Sequence, residues 1–345
     1  MALKRVTMQD IANACGVSRN TVSKIFNGRG SVPEATRRKV LEKAEELGYH
    51  QIIRDESAQP EQQNRRVVLF TCRMPADNHF GSSFLSTFAD QLSRAGYMLM
   101  MYELSQEDLR QCSLPEQMSL EQTAGILGIE LFDRDYIKML CRLGLPSIFV
   151  DAYAGASTSV PEFNLISMEN FAGTMALTEH VISEGARRIG FVGDIDHCNS
   201  FRERWMGFCA AVMSSGLTLD RKMCILNRDG PQYDDIAWLL ERLRGMPELP
   251  DALICANDFI AIRLMTALKQ MGVAIPDRIM VTGFDGMSQS AIVEPSLTTV
   301  QIHGADLGRL AADMLLKRIE NPDFPYFCTY IQSTPIWRDS TVRKQ

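Results

Sequence analysis

The sequence predicts an α/β protein: a small all-α head, then a body of two lobes built on parallel sheets. Three observations carry this. The first fifty residues hold short helical patterns joined by a Gly turn. Beyond residue 65, short continuous apolar runs alternate with helical stretches, the pattern of strands buried on both faces. The plan of strand, loop, helix and Gly stop then occurs twice in that body.

The head reads from its N-terminus as follows. Thr7-Met8-Gln9-Asp10 is a helix start, with Thr7 as cap and Asp10 in the first turn, where the helix dipole favours an anion. Ile11, Ala12 and Ala14 give a short apolar face, and Gly16 supplies the positive φ of a tight turn. Ser18 caps a second helix, Arg19 to Phe26. Val22, Ile25 and Phe26 share one of its faces, and Arg19, Asn20, Ser23 and Lys24 share the other. Those four are donors suited to base edges and phosphates. A third helix from about Pro33 to Leu47 turns Val40, Leu41, Ala44 and Leu47 inward, and Gly48 ends it. Helix-turn-helix docking fits this arrangement; a plain three-helix bundle with a solvated basic face fits the periodicity nearly as well.

Charge favours the first reading. The chain carries a net −6 over 345 residues. Residues 1–50 hold nine Lys/Arg and five Asp/Glu, for +4, and the remaining 295 hold 27 and 37, for −10. A basic head on an acidic body is a usual layout for a DNA-binding module joined to another domain.

The run V-T-M-Q-D-I-A-N-A-C-G-V-S-R-N-T-V-S-K-I-F-N, followed by V-P-E-A-T-R-R-K-V-L-E-K-A-E-E-L-G-Y, resembles the head of the lactose-repressor (LacI/GalR) family of bacterial transcription regulators. The resemblance implies that Arg19, Asn20 and Lys24 read base edges. It also implies that Thr7, Ser18, Thr21, Ser23, Asn27, Ser31 and Thr36 hold phosphates. Arg19 or Lys24 can donate to guanine and Asn20 can pair bidentately with adenine.

The hinge departs from that family. Where the family has Pro-Asn, then Ala-Arg and a Leu that wedges into the minor groove, this chain has His50-Gln51-Ile52-Ile53-Arg54-Asp55-Glu56-Ser57-Ala58. Ala58 is too small to pry a base step apart, and Asp55-Glu56 set two negative charges where phosphate approaches. The expectation is weaker kinking, or a different wedge such as Ile52 or Ile53. Residues 50–65 are otherwise a Gln/Glu/Pro-rich linker.

In the body, Val67 to Cys72 is a strand buried on both faces. A helix from about Phe80 to Ala95 carries Phe84, Leu85, Phe88 and Leu92 on one side, Gly96 stops it, and Tyr97 to Tyr102 is a second strand. Ile189 to Gly193 repeats the plan, with a loop holding Arg202 and Arg204, a helix through Ala211 and a stop at Gly216. Gly125–Ile129, Ser147–Val150, Ala252–Cys255 and Ile279–Gly283 are further buried strands. Ligands of such sheets bind at the strands' carboxyl ends. Polar residues directly after the strands are therefore the candidates: Asp151, Arg204, Asn257-Asp258 and Asp285. Each can instead be a helix cap. Carboxylates, an amide and one guanidinium converging are what recognition of sugar or nucleoside hydroxyls requires.

The family resemblance extends over about residues 4 to 340, through L-P-S-I-F-V-D, E-H-V-I-S-E-G-A-R-R-I-G-F-V-G, R-W-M-G-F, P-D-A-L-I-C-A-N-D, G-F-D-G and P-S-L-T-T-V. It implies a two-lobed, periplasmic-binding-protein-like effector domain. The implied division is a head at 1–49, a hinge at 50–65, a first lobe at 66–163 and 293–324, and a second at 164–292 and 325–345. Effector-contacting positions carry over to Asn78, Phe80, Asp151, Arg204, Asn257 and Asp285, with Tyr233 an aromatic wall under a ring. Asp77-Asn78-His79-Phe80 stands where the family has Ser-Asn-Pro-Phe. The C-terminal residues lack Leu heptads, so a dimer through the body is expected rather than a tetramer, matching a palindromic double-stranded operator.

Other classes score poorly. There is no G-x-S-x-G, Walker loop or H-E-x-x-H, and Gly28-Arg29-Gly30 is a turn. Nine scattered cysteines without C-x-x-C, and five histidines far apart, point away from disulfides and from metal. The longest charge-free run, Trp205 to Leu219, is 15 residues, too short to span a bilayer. Without an apolar signal region, a cytoplasmic protein is expected. The function expected is a ligand-responsive repressor, not an enzyme, with no cofactor and no membrane partner. Its effector would be a sugar, sugar phosphate or nucleoside. The alternative is a sugar-binding sensor with weakened or atypical operator binding.

Overall fold

The computed structural model describes residues 8–26, 32–47, 65–73, 81–158 and 163–342. The chain forms two compact units, Met1–Gln63 and Asn64–Gln345.

In the head, α1 (Met8–Cys15), α2 (Arg19–Phe26) and α3 (Glu34–Glu46) pack around Ile11, Ala12, Cys15, Val22, Ile25, Val40 and Ala44. Ala14, expected on the apolar face, is exposed and Cys15 is buried instead. Helical spacing explains it, since Met8, Ile11, Ala12 and Cys15 follow the i, i+3, i+4, i+7 stripe and Ala14 falls off it. Gly16 turns the chain at φ +70°.

The body begins with β1 (Arg66–Thr71), α4 (Gly81–Arg94), β2 (Met98–Glu103), α5 (Gln106–Gln111), β3 (Thr123–Ile129), α6 (Arg134–Arg142), β4 (Ser147–Val150) and β5 (Asn164–Met168). It continues with α7 (Phe171–Ser183), β6 (Ile189–Val192), α8 (Asn199–Ser214), α9 (Ile236–Arg244), β7 (Ala252–Cys255), α10 (Asp258–Gln270) and β8 (Met280–Thr282). The last elements are α11 (Ser288–Ile292), β9 (Thr299–Gln301), α12 (Gly304–Glu320), β10 (Cys328–Ile331) and β11 (Thr334–Ile336).

Six parallel strands form the first lobe's sheet in the order β10-β5-β4-β3-β1-β2. The period-2 alternation of β1 divides two cores. Val67 and Leu69 join Phe84, Phe88 and Leu92 of α4 on one face, and Val68 and Phe70 join Tyr136, Ile137 and Leu140 on the other. That is why β1 reads as an unbroken apolar run. The second lobe's sheet is β6-β7-β8, also parallel, with its core running from Val181 and Phe191 to Leu264 and Val281. β9 and β11 pair antiparallel beside it.

The chain passes between the lobes at Glu169–Asn170, Ile302–His303 and Gln332–Ser333, between β5 and α7, β9 and α12, and β10 and β11. Two of these passages are bonded together, Ser333 Oγ donating to the Glu169 carbonyl at 2.8 Å. β5 and β10 lie in the first lobe's sheet, whereas the sequence division puts residues 164–168 and 328–331 in the second lobe. Hydrogen bonding decides it, because β5 pairs with β4 and β10 pairs with β5. Arg202 and Arg204, expected in a loop, lie inside α8, which starts at Asn199. Among the described residues no helix is long and apolar enough to cross a membrane.

Candidate functional site

The head's polar face is set by one cap. Ser18 Oγ accepts from the Thr21 backbone N–H at 3.0 Å and shares a 2.8 Å hydrogen bond with the Thr21 hydroxyl. That fixes the start of α2. Val22 and Ile25 then point inward, so Arg19, Asn20 and Lys24 stand exposed on the opposite face, with Thr21 and Ser23 half-buried beside them. Thr36 is half-buried in the first turn of α3. Thr7, Asn27, Ser31 and the hinge residues Ile52, Ile53, Asp55, Glu56 and Ala58 lie outside the described residues.

In the body, a cavity of about 480 Å³ opens at the carboxyl ends of both sheets. Asp151, Arg204, Tyr233, Asn257 and Asp285 all line it. Asn78 and Phe80 lie outside the described residues. Asp151 follows β4 at φ +61°. Its Oδ1 accepts from the backbone N–H of Ala152 at 2.8 Å and of Ser200 at 3.2 Å, and its Oδ2 accepts from the Ser200 hydroxyl. Cys198, the residue before α8, supplies no side-chain cap. A carboxylate of the first lobe thus satisfies the first turn of a second-lobe helix, where the dipole also favours it.

Arg204 is 3% exposed. Its Nη1 lies 3.3 Å from Asp285 Oδ1 and donates to the Ala256 carbonyl at 2.5 Å. Its guanidinium stacks 3.7 Å from the centroid of the Phe284 ring. Asp285 is held at φ +116°. Asn257 caps α10, its Oδ1 accepting from the Ile260 N–H at 2.9 Å, while the residue still lines the cavity. Capping a helix and facing the cavity therefore coexist at Asn257. Asp258 is structural. It is fully buried and away from the cavity lining, accepting from the Thr299 hydroxyl at 2.5 Å and the Met287 N–H at 2.7 Å. Tyr233 is 1% exposed and donates its hydroxyl to the Asn227 carbonyl at 2.9 Å, so it offers the cavity only ring surface.

Behind the cavity, Asn170 joins two neighbouring residues of α8. Its Oδ1 accepts from Arg204 Nε at 3.0 Å and its Nδ2 donates to Glu203 Oε2 at 2.9 Å. Glu203 Oε1 in turn accepts from Ser157 Oγ at 2.9 Å, Asn199 Nδ2 at 2.8 Å and the Tyr330 hydroxyl at 2.6 Å. Ser157 and Tyr330 belong to the first lobe, so one carboxylate ties the lobes together. This face of α8 borders a second cavity of about 420 Å³ lined by Phe171, Met206 and Tyr330.

Sequence reasoning misses four charged lining residues, Arg73, Glu130, Asp229 and Asp234, and the neighbouring Phe132, His197, Ser200 and Phe201. Arg73 and Glu130 closely follow β1 and β3, and the strand-end rule that selects Asp151 selects them too. Glu130 adopts φ +51°. Burial, then the charges of Asp151 and Asp285, push its carboxyl up to about 7 against the opposing pull of Arg73. Burial also raises Asp151, although the hydrogen bonds from Ser200 and Ala152 offset part of that. His197, also in the lining, sits with its Nδ1 3.7 Å from Asp229 Oδ2 and its ring between Phe132 and Phe201. No group of His, Cys, Asp and Glu among the described residues is arranged to hold a metal ion.

Comparison with known proteins gives a consistent result. Residues 7–51 match the family model for bacterial regulatory proteins of the lacI family, and residues 178–341 match a periplasmic binding protein-like domain. The HTH-type transcriptional repressor PurR of Photobacterium profundum is 26% identical over 318 residues, covering 91% of this chain and 92% of that protein. The complex of the transcriptional regulator CelR with cellobiose superposes with a TM-score of 0.70 at 24% identity, over 97% of this chain and 100% of that one. The lac repressor dimer bound to operator and the anti-inducer ONPF gives 0.69 at 22% identity, over 99% and 100%.

Proposed function

The chain belongs to the lacI family of bacterial regulatory proteins, and on that footing we propose that it is a ligand-responsive transcriptional repressor of the cytoplasm. The head grips operator DNA, and a small effector held between the two lobes of the body sets how tightly. The observation that carries the reading is the cavity at the carboxyl ends of two parallel sheets, on the same chain as a capped helix presenting Arg19, Asn20 and Lys24. In this reading those three residues read base edges. Ser18, Thr21, Ser23 and Thr36 hold phosphates, as do Thr7, Asn27 and Ser31. A homodimer places two heads on a palindromic site.

Asp151, Arg204, Asn257 and Asp285 would meet the effector's polar groups, and Tyr233, Phe132 and Phe201 would meet its apolar faces. CelR is seen with cellobiose, and a sugar or sugar derivative suits this cavity as well. The physical basis of control is differential affinity. A ligand that prefers one arrangement of the lobes over another shifts the population toward it, by no more than that preference.

The test is selection of duplexes from a random pool by the full-length protein, followed by gel shifts with and without sugars. Recovery of a palindromic site whose binding responds to one of them supports the proposal. Retention of no duplex at low salt contradicts it.

A further inference from the structure

Five carboxylates line the effector cavity among the described residues: Glu130, Asp151, Asp229, Asp234 and Asp285. Three are already matched by the protein. Asp285 pairs with Arg204, Asp234 pairs with Arg263 at 2.6 Å, and Asp151 holds the start of α8. Asp229, at the mouth, has the His197 ring at 3.7 Å. The Glu130 carboxylate makes no hydrogen bond and no ion pair with any described residue. Two arginines of the described residues reach the cavity. Arg204 is spent on Asn170, Ala256 and Asp285. Arg73 is exposed at the rim and forms no ion pair with Glu130.

This inference rests on the cavity being the effector site. We propose that the effector is a hydroxylated primary amine of monosaccharide size, an amino sugar, and that Glu130 receives its ammonium group. A carboxylate set among like charges, without a partner among the described residues, is an unfavourable arrangement that one incoming cation relieves. Asp229 adds to the same field. A sugar phosphate or a uronate brings a further negative charge into it and is rejected. A neutral sugar offers Glu130 hydroxyl donors but leaves its charge uncompensated. The rest of the cavity offers ring surface to a pyranose: Phe132 and Phe201 line it on either side of His197, with centroids 4.9 and 5.3 Å from the His197 ring.

The test is isothermal titration of the full-length protein with D-glucosamine, D-galactosamine and D-mannosamine. Each is compared with its parent hexose, its N-acetyl derivative and the matching hexuronate. The expected result is that one hexosamine binds at least tenfold tighter than its hexose, that N-acetylation removes this gain, and that the uronate does not bind. Glu130→Gln should weaken the amine at least tenfold, while the exposed-surface control Glu121→Gln leaves the ranking unchanged. The N-acetyl comparison on the unaltered protein decides the matter even if Glu130→Gln folds poorly. A hexose or uronate binding as well as the amine overturns the amino-sugar inference and leaves the effector cavity standing. Silence across the whole panel overturns the inference together with the sugar reading.

Discussion

Asn170 holds Arg204 from behind: the Asn170 side-chain carbonyl oxygen accepts from Arg204 Nε at 3.0 Å while its amide donates to Glu203 at 2.9 Å. The amide can face only one way, because the Arg204 guanidinium has donors and no acceptor to offer its NH2 group. Asn170 also sits on a passage between the lobes, so the geometry of the cavity's buried cation depends on a residue that the cavity does not contain.

Asn170→Ala should therefore destabilise the protein by about 1–3 kcal/mol, the cost of leaving buried polar groups unpaired. Asn170→Asp should leave Arg204 bonded but set two carboxylates side by side at Glu203. Denaturant unfolding of both variants tests this, and midpoints equal to the parent's for both would refute the arrangement.

In the head, Ser18→Ala removes the cap of α2 and should lower stability by about 1 kcal/mol. Arg19→Ala and Lys24→Ala should leave stability unchanged and weaken a selected duplex. If Arg19 reads a base edge, its loss costs about 1–3 kcal/mol and relaxes the preference at one base position. Gel shifts against single-base variants of the selected site distinguish that from a uniform loss, which would reassign Arg19 to phosphate.

Asp258 gives a pH prediction. Burial, then the charge of Asp285, push its carboxyl up to about 7, against about 4 for a free aspartate. The folded state thus binds this proton more tightly than the unfolded chain. Its contribution to stability is complete below about pH 4 and is lost as pH rises through 7. Asp258→Asn keeps an acceptor for the Met287 N–H and stays neutral. It should raise the melting temperature at pH 8 and have little effect at pH 4. A variant less stable than the parent at both pH values would show that the charge is needed where it is.

Gly207 lets the α8 backbone lie directly against α7. A Cβ there would come within 2.2 Å of the Phe171 carbonyl oxygen. Gly207→Ala should force the two helices apart and destabilise the second lobe by about 1–3 kcal/mol. Thermal unfolding measures it, and a loss below about 0.5 kcal/mol, the scatter of neutral surface changes, would mean the helices separate freely.

Most strands legible in the sequence are buried on both faces, since burial demands unbroken apolar runs; β1, β3, β4, β6, β7 and β8 all read this way, while β2, exposed or half-buried, is legible from its place after α4 and Gly96. β5 does not, because Asn164 and Ser167 lie inside it. The fold tolerates Asn164 by giving its amide the Ser147 carbonyl at 2.8 Å, a partner from the next strand that no local pattern announces. β9 carries Thr299 and Gln301, and β10 and β11 are exposed or half-buried throughout, so none of the three shows an unbroken apolar run. Of the cavity lining, Asp151, Arg204, Asn257 and Asp285 are legible because each closely follows a strand or belongs to a motif. Glu203 and Asn170 cannot be found that way. Their importance lies in a hydrogen-bond chain joining residues 33 apart along the sequence.

The double duty of α8 bears on how such a protein could be retargeted. One side of this helix walls the cavity and the other clasps Ser157 and Tyr330, so exchanging Arg204 to suit a new ligand would also loosen the scaffold. Glu130 and Arg73 carry no such burden. They sit at strand tips with no ion pair among the described residues, and changes there alter the chemistry on offer without disturbing the frame. A library aimed at new ligands should randomise those tips and leave the helix alone.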